Sequence, residues 1–106
     1  MNNEQIEAIV AEYDKSVAGK DSATRYRVSE RINIEEGVQL VLVEYGDDKK
    51  WIGETSVIVY DEGDVFCQRD WSFNPTDRDG IADYEWVHVQ TRHLAVVMNG
   101  LPRILI

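Results

Sequence analysis

The sequence has few of the residues that mark secreted, membrane or nucleic-acid-binding proteins. It contains one cysteine and two prolines, and its 11 basic residues face 20 acidic ones, which gives a formal net charge of -9. A lone Cys67 cannot form an internal disulfide, and the polar start of the chain lacks the basic and apolar parts of a signal peptide. We therefore expect a cytoplasmic protein. No apolar run approaches the roughly 20 residues of a membrane helix, and the acidic balance argues against direct binding to nucleic acid.

What the chain does have is enough apolar sequence for one core. Its 106 residues are 43% hydrophobic, which suits a single domain, residues 1–106, that folds without disulfides or a structural metal. Over residues 2–18 the apolar side chains recur at helical spacing, with Asn2 or Asn3 suited to cap the helix and Gly19 to end it. After residue 23 the period falls to two, and the expected strands are 24–34, 38–45, 51–60, 65–73, 84–90, 94–98 and 103–106.

These elements predict an α+β fold with one N-terminal helix packed on a curved antiparallel meander of about five to seven strands. A sheet this wide could curl into a partial barrel. Regular alternation would place Tyr26, Val28, Ile32 and Ile34 on one face of the first strand, while residues 38–45 are apolar on both faces. If the helix covers one face, a two-fold homodimer is a simple way to cover the other.

Motifs that carry catalysis are absent. The sequence has no phosphate-binding glycine loop, no dinucleotide fingerprint, no zinc-protease motif and no serine elbow. His88 and His93 would share a face on neither a helix nor a strand, and the Asp-rich stretch 77–80 does not align with a calcium loop. Cys67 is interpreted as a core thiol. We therefore expect no enzyme, no cofactor and no metal, and a small enzyme using His88 and Asp70 ranks last among the hypotheses.

Acidic residues gather in the connections between strands. Residues 61–86 hold eight carboxylates against two arginines, a local charge of -6, and such a field speeds association with a basic partner. This pattern favours a non-catalytic binding protein that inhibits a macromolecule, such as an immunity protein or a phage anti-defence inhibitor acting on a nuclease or a nucleic-acid-binding complex. The carboxylates expected to contact the partner are Asp61, Glu62, Asp64, Asp77, Asp79, Asp83 and Glu85.

An alternative interpretation starts from charges that interrupt apolar strand faces. Glu30, Glu44 and Arg69 each alternate with apolar residues, and a curled sheet would turn them into an aromatic pocket for a small anionic or nucleotide-like ligand. Arg69 would then hold the anionic group. A bulge that turns a charge outward, or a structural ion pair, would also account for the pattern. The expected pocket residues are Arg69, Trp71, Tyr84, Trp86, His88, Glu30 and Glu44.

Overall fold

The protein is an α+β structure in which one helix lies against an open antiparallel sheet. The computed structural model describes residues 1–17, 23–68, 86–90, 94–96 and 103–105. The sheet order is β1-β2-β3-β4-β5, and β6 and β7 form a separate two-stranded sheet. The predicted helix on an antiparallel sheet is confirmed, although the sheet does not close into a barrel. The elements are α1 (Asn3–Val17), β1 (Arg25–Glu35), β2 (Val38–Gly46), β3 (Trp51–Tyr60), β4 (Val65–Gln68), β5 (Trp86–Gln90), β6 (Leu94–Val96) and β7 (Arg103–Leu105).

The first turn of α1 is closed by a reciprocal pair of hydrogen bonds. The backbone N–H of Gln5 donates to Asn2 Oδ1, and the backbone N–H of Asn2 donates to Gln5 Oε1, both at 2.8 Å. This is the capping-box arrangement, which satisfies two amide groups that the helix itself leaves unpaired. Ile6, Val10 and Tyr13 then follow at helical spacing and are buried against the sheet.

Strand β2 is covered on both sides, as its continuous apolar sequence predicts. Val41 and Val43 pack against α1 on one side of the sheet, which we call the helix face. Leu40 and Leu42 belong to a second core on the opposite side, which we call the second face, together with Ile58, Phe66 and Trp86. Both cores are buried within one chain, so covering the second face does not by itself require a second copy. The homodimer itself stays a prediction.

A bulge in β1 corrects the predicted alternation of that strand. Val28 pairs with Val43 and Glu30 with Leu42, so one extra residue stands between two successive pairs. Because the extra residue reverses the alternation, Tyr26 and Val28 pack on the helix-face core while Ile32 and Ile34 pack on the second-face core. The four side chains therefore do not share one face.

The bulge also separates the arginines of β1. Arg31 moves to the helix side, where its guanidinium donates to Asn3 Oδ1 at 3.0 Å and to the carbonyl oxygen of Met1 at 3.1 Å. β1 is an edge strand, because it begins the five-stranded order. Part of its open edge is occupied by the helix, since the Val28 N–H donates to Glu7 Oε2 at 2.8 Å. The same strand is thus attached to α1 at several points.

We predict that Tyr26→Phe lowers the free energy of unfolding by about 1.5–3 kcal/mol, the range for a hydrogen bond to a charged group. The Tyr26 hydroxyl donates to Asp14 Oδ2 at 2.5 Å, and Asp14 is fully buried. Urea denaturation followed by tryptophan fluorescence measures the change. An unchanged urea midpoint for Tyr26→Phe would show that the bond contributes nothing.

Candidate functional site

Four exposed carboxylates lie together at one end of the sheet, on the turns that join β1 to β2 and β3 to β4. We call this group the acidic end, and its members are Glu35, Glu36, Asp61 and Glu62. The two turns are joined directly, because the Asp61 N–H donates to the carbonyl oxygen of Gly37 at 2.9 Å. Neither turn contains a lysine or an arginine. The structure therefore presents these four negative charges on a single surface.

Glycines set the shape of both turns. Gly37 and Gly63 have φ values of 74° and 104°, in a region that residues with a Cβ rarely adopt. The turn of β3 and β4 is further closed by hydrogen bonds from the Tyr60 N–H to the Asp64 carbonyl and from the Gly63 N–H to the Tyr60 carbonyl, each at 2.9 Å. The backbone of the acidic end is thus fixed by the sheet.

Two of the predicted partner-binding carboxylates are in this group and two others were missed. Asp61 and Glu62 are among the predicted residues, whereas Glu35 and Glu36 fall between the predicted strands 24–34 and 38–45. The signal that could have found them is the meander itself, because alternate turns of consecutive antiparallel strands lie at the same end of a sheet. Four further predicted carboxylates lie outside the described residues, namely Asp77, Asp79, Asp83 and Glu85.

Asp64 differs from the other predicted carboxylates, because it is fully buried and faces inward. Its Oδ1 lies 3.0 Å from His88 Nε2. The imidazole of His88 is stacked on Phe66, with ring centroids 4.2 Å apart and planes only 2° from parallel. A buried carboxylate that orients a stacked histidine is part of the second-face core, so Asp64 does not belong to the exposed carboxylates of the acidic end, and its contact with a partner stays a prediction.

The opposite end of the sheet carries charges of both signs that neutralise one another. Arg27 forms an ion pair with Glu44 at 2.5 Å, and the guanidinium groups of Arg25 and Arg27 lie over the Trp51 ring at 4.1 and 4.3 Å from its centroid. Hydrogen bonds from the backbone N–H groups after Asp47 hold the pKa of that carboxyl below its usual range. Positive and negative charge are therefore balanced at this end of the sheet.

The predicted pocket residues are not brought together in the described part of the chain. Glu44 is in the ion pair with Arg27 and Glu30 is exposed beside the bulge, so neither forms the floor of a cavity. These are the two structural alternatives that the sequence left open. Trp86 and His88 lie two residues apart on β5, with Trp86 fully buried. Arg69, Trp71 and Tyr84, like Asp70, lie outside the described residues, and the anionic ligand stays a prediction.

A groove of about 610 Å³ runs between α1 and β5. It is lined by Ile9, Glu12 and Tyr13 of the helix and by Val87 and Val89 of the strand, among others. Its lining includes the carboxylate of Glu12 and, within the described ranges, no lysine or arginine. The groove is therefore unsuited to the anionic ligand expected from the sequence.

No cluster of three metal-binding side chains is found among the described residues, and none of the helices in that part of the chain is long and apolar enough to cross a membrane. No protein-family model matches the chain, and searches of curated proteins and of solved structures give no match. The function of this protein is therefore inferred from its own geometry.

We predict that Cys67 reacts with a thiol reagent at least about 100-fold more slowly in the native protein than in denaturant, because only an opened structure exposes it. The side chain is fully buried on the helix face. Burial, and then the nearby charge of Asp14, raise the pKa of the thiol far above its ordinary value. Colour development with an aromatic disulfide at pH 8 measures the rate. Equal rates in buffer and denaturant would contradict a buried thiol.

We predict that His88→Phe lowers the free energy of unfolding by about 1.5–3 kcal/mol, because it removes a hydrogen bond to a buried carboxylate. The phenyl ring keeps a planar group against Phe66, so the loss reports on the bond to Asp64. Thermal and urea denaturation measure it. Asp64→Asn retains an oxygen that can accept from His88, and we expect a smaller loss. A larger loss in Asp64→Asn than in His88→Phe would contradict this account of the pair.

Proposed function

We propose that this protein is a non-catalytic acidic binding protein that neutralises a basic macromolecular partner through its acidic end. The observation that carries the proposal is the placement of four exposed carboxylates on two turns joined by the hydrogen bond between Asp61 and Gly37. The partner class is a basic protein such as a nuclease or a nucleic-acid-binding complex. An immunity protein or a phage anti-defence inhibitor has this kind of activity.

The four charges are close enough to act as one field. Glu36 precedes Gly37 and Glu62 follows Asp61, and the backbones of Gly37 and Asp61 are in hydrogen-bond contact. Neighbouring strands lie about 4.8 Å apart, so the two turns, which meet at Gly37 and Asp61, adjoin within about one Debye length, which is roughly 8 Å at physiological salt. Charges this close together add their potentials, which raises the rate of encounter with a positive surface.

The turns also lower the cost of binding, because their backbone is already ordered. Each turn joins two strands of the five-stranded sheet, and the register Val38 to Tyr60 connects the two turns across β2 and β3. A surface that is rigid before binding loses less conformational entropy in the complex. The charge of the whole chain, -9, has the same sign and supports long-range attraction of a cation-rich partner.

The test compares two variants with the same loss of charge. The first neutralises the acidic end, and we expect it to reduce the association rate with a cationic nuclease at least about tenfold at low salt. The second neutralises four exposed carboxylates elsewhere, and we expect a change below about threefold. The first variant is Glu35→Gln, Glu36→Gln, Asp61→Asn and Glu62→Gln, and the second is Glu4→Gln, Glu12→Gln, Glu30→Gln and Asp48→Asn.

Biolayer interferometry measures association with a panel of cationic nucleases, at salt concentrations from about 25 to 300 mM. Cleavage of a fluorescent oligonucleotide measures inhibition of each nuclease. The proposal requires that at least one nuclease binds the native chain with a rate that falls as salt increases. Equal losses in the two variants would show that only net charge matters. That result, or a panel in which no nuclease binds, would overturn the proposal.

A further inference from the structure

The helix covers the sheet unevenly. Hydrogen bonds hold α1 against β1, because Glu7 accepts from the Val28 N–H at 2.8 Å and Asp14 accepts from the Tyr26 hydroxyl at 2.5 Å. On the other side of the helix, the groove of about 610 Å³ lies between α1 and β5. Over the described residues, the helix face of the sheet is therefore open to solvent between these two elements.

Strand β5, which forms one wall of the groove, is also the last strand of the five-stranded order. It pairs with β4 on one side, and no strand in the described part of the chain pairs with its other side. The groove extends to this outer edge, because His88 lines it although the His88 ring is stacked on Phe66 on the second face. An unpaired strand edge presents a row of backbone donors and acceptors that can pair with a further strand.

The walls of the groove are apolar and carry one carboxylate. Ile9 of α1 and Val87 and Val89 of β5 are only half-buried, so part of each side chain faces the groove. Glu12 lines the groove and is exposed, and its carboxylate has neither a hydrogen bond nor an ion pair among the described residues. Lys15 of the same helix is not part of the lining. These walls match a ligand that offers both aliphatic surface and a positive charge.

From this arrangement we infer that the outer edge of β5 and the groove beside it bind an extended segment of another protein, which adds to the sheet as a further strand. The segment carries a branched aliphatic side chain and a lysine or arginine two residues apart. The inference goes beyond the proposed function, because it assigns a second surface with its own ligand. It holds whether or not the acidic end binds a nuclease.

The spacing of an added strand suits this groove. Such a strand lies about 4.8 Å from β5 and places every second side chain on the helix face, about 7 Å apart. These side chains stand beside Val87 and Val89, which are two residues apart and pack on the helix-face core. The aliphatic side chain packs on the valines, and the basic one lies beneath α1, where Glu12 supplies the opposite charge. Backbone hydrogen bonds then give affinity, and the two side chains give specificity.

A second copy of this chain is less suited to the site than a basic segment. Pairing two β5 edges would bring together two chains that each carry a net charge of -9, and β5 has no lysine or arginine to face Glu12. A basic segment is instead attracted by the same charge. The acidic end lies near one end of the site, since Gln90 pairs with Val65, just after the turn between β3 and β4.

The experiment titrates the full chain with short fluorescent peptides in which threonine occupies every second position. The positions between carry valine, isoleucine or leucine on either side of a lysine or an arginine. Fluorescence anisotropy measures binding, and hydrogen exchange measures the protection of the β5 amides. We expect at least one peptide to bind and to slow exchange in β5. Methylating every second backbone nitrogen, or replacing the basic residue with glutamate, should weaken binding at least about tenfold.

Two variants test the groove itself. Glu12→Lys reverses its charge, and Ala8→Trp fills it from an exposed lining position of the helix. We expect each to weaken peptide binding at least about tenfold. Glu4→Lys is the matched control, because Glu4 is exposed on the same helix and is not part of the lining. We expect it to change binding less than about threefold, with circular dichroism showing that all three variants are folded.

Four results would overturn the inference. They are the failure of every peptide to bind, equal binding of the methylated peptides, equal losses in Glu12→Lys and Glu4→Lys, and β5 amides that are fully protected before any peptide is added. In the last case the edge is already covered, and analytical ultracentrifugation shows whether a second copy or the chain itself covers it. A chain that binds these peptides but no nuclease would support the inference and overturn only the proposed function.

Discussion

The structure depends on one constraint, which is that the central strands must be covered by apolar groups on both faces. Val41 and Val57 are fully buried on the helix face, and Ile58 and Phe66 are fully buried on the second face. Only a sheet between two layers satisfies such strands. The register that this burial enforces also fixes the turns, because a slip of one residue would exchange the two faces. The acidic end is a consequence of that register.

Buried polar groups in this core fall into two kinds. Some are paired across elements: Tyr26 donates to Asp14, and His88 contacts Asp64. These pairs join α1 to β1 and the turn after β3 to β5, so they specify how the elements meet. Gln68, in contrast, is equally buried but has no partner in the described part of the chain. Thr55 on the helix face is also buried without a partner among the described residues, so unpaired polar groups occur on both faces of the sheet.

The sequence predicts the parts of this fold that local patterns determine. The Asn2 cap, the buried thiol of Cys67 and the double coverage of β2 each follow from a residue and its neighbours. The bulge in β1 does not follow from local sequence, because one extra residue in a polar strand leaves no local signature. It nevertheless reverses the faces of the residues that come after it. Asp64 and Glu62 are acidic residues of one turn, and nothing in the local sequence distinguishes them. Only the position of His88 on a distant strand makes Asp64 a core residue.

The acidic end is connected to the second-face core by a continuous set of contacts. The turn that presents Asp61 ends at Asp64, whose carboxylate contacts His88, and His88 stands two residues from Trp86 on the same strand. A chain of contacts does not by itself couple two parts of a protein. Coupling requires an element that adopts two arrangements, for which the ligands of the two parts have different affinities. The stacked and hydrogen-bonded His88 is held in one arrangement here. On this geometry the acidic end and the second-face core share one scaffold, and the contacts between them show no second arrangement that would couple them.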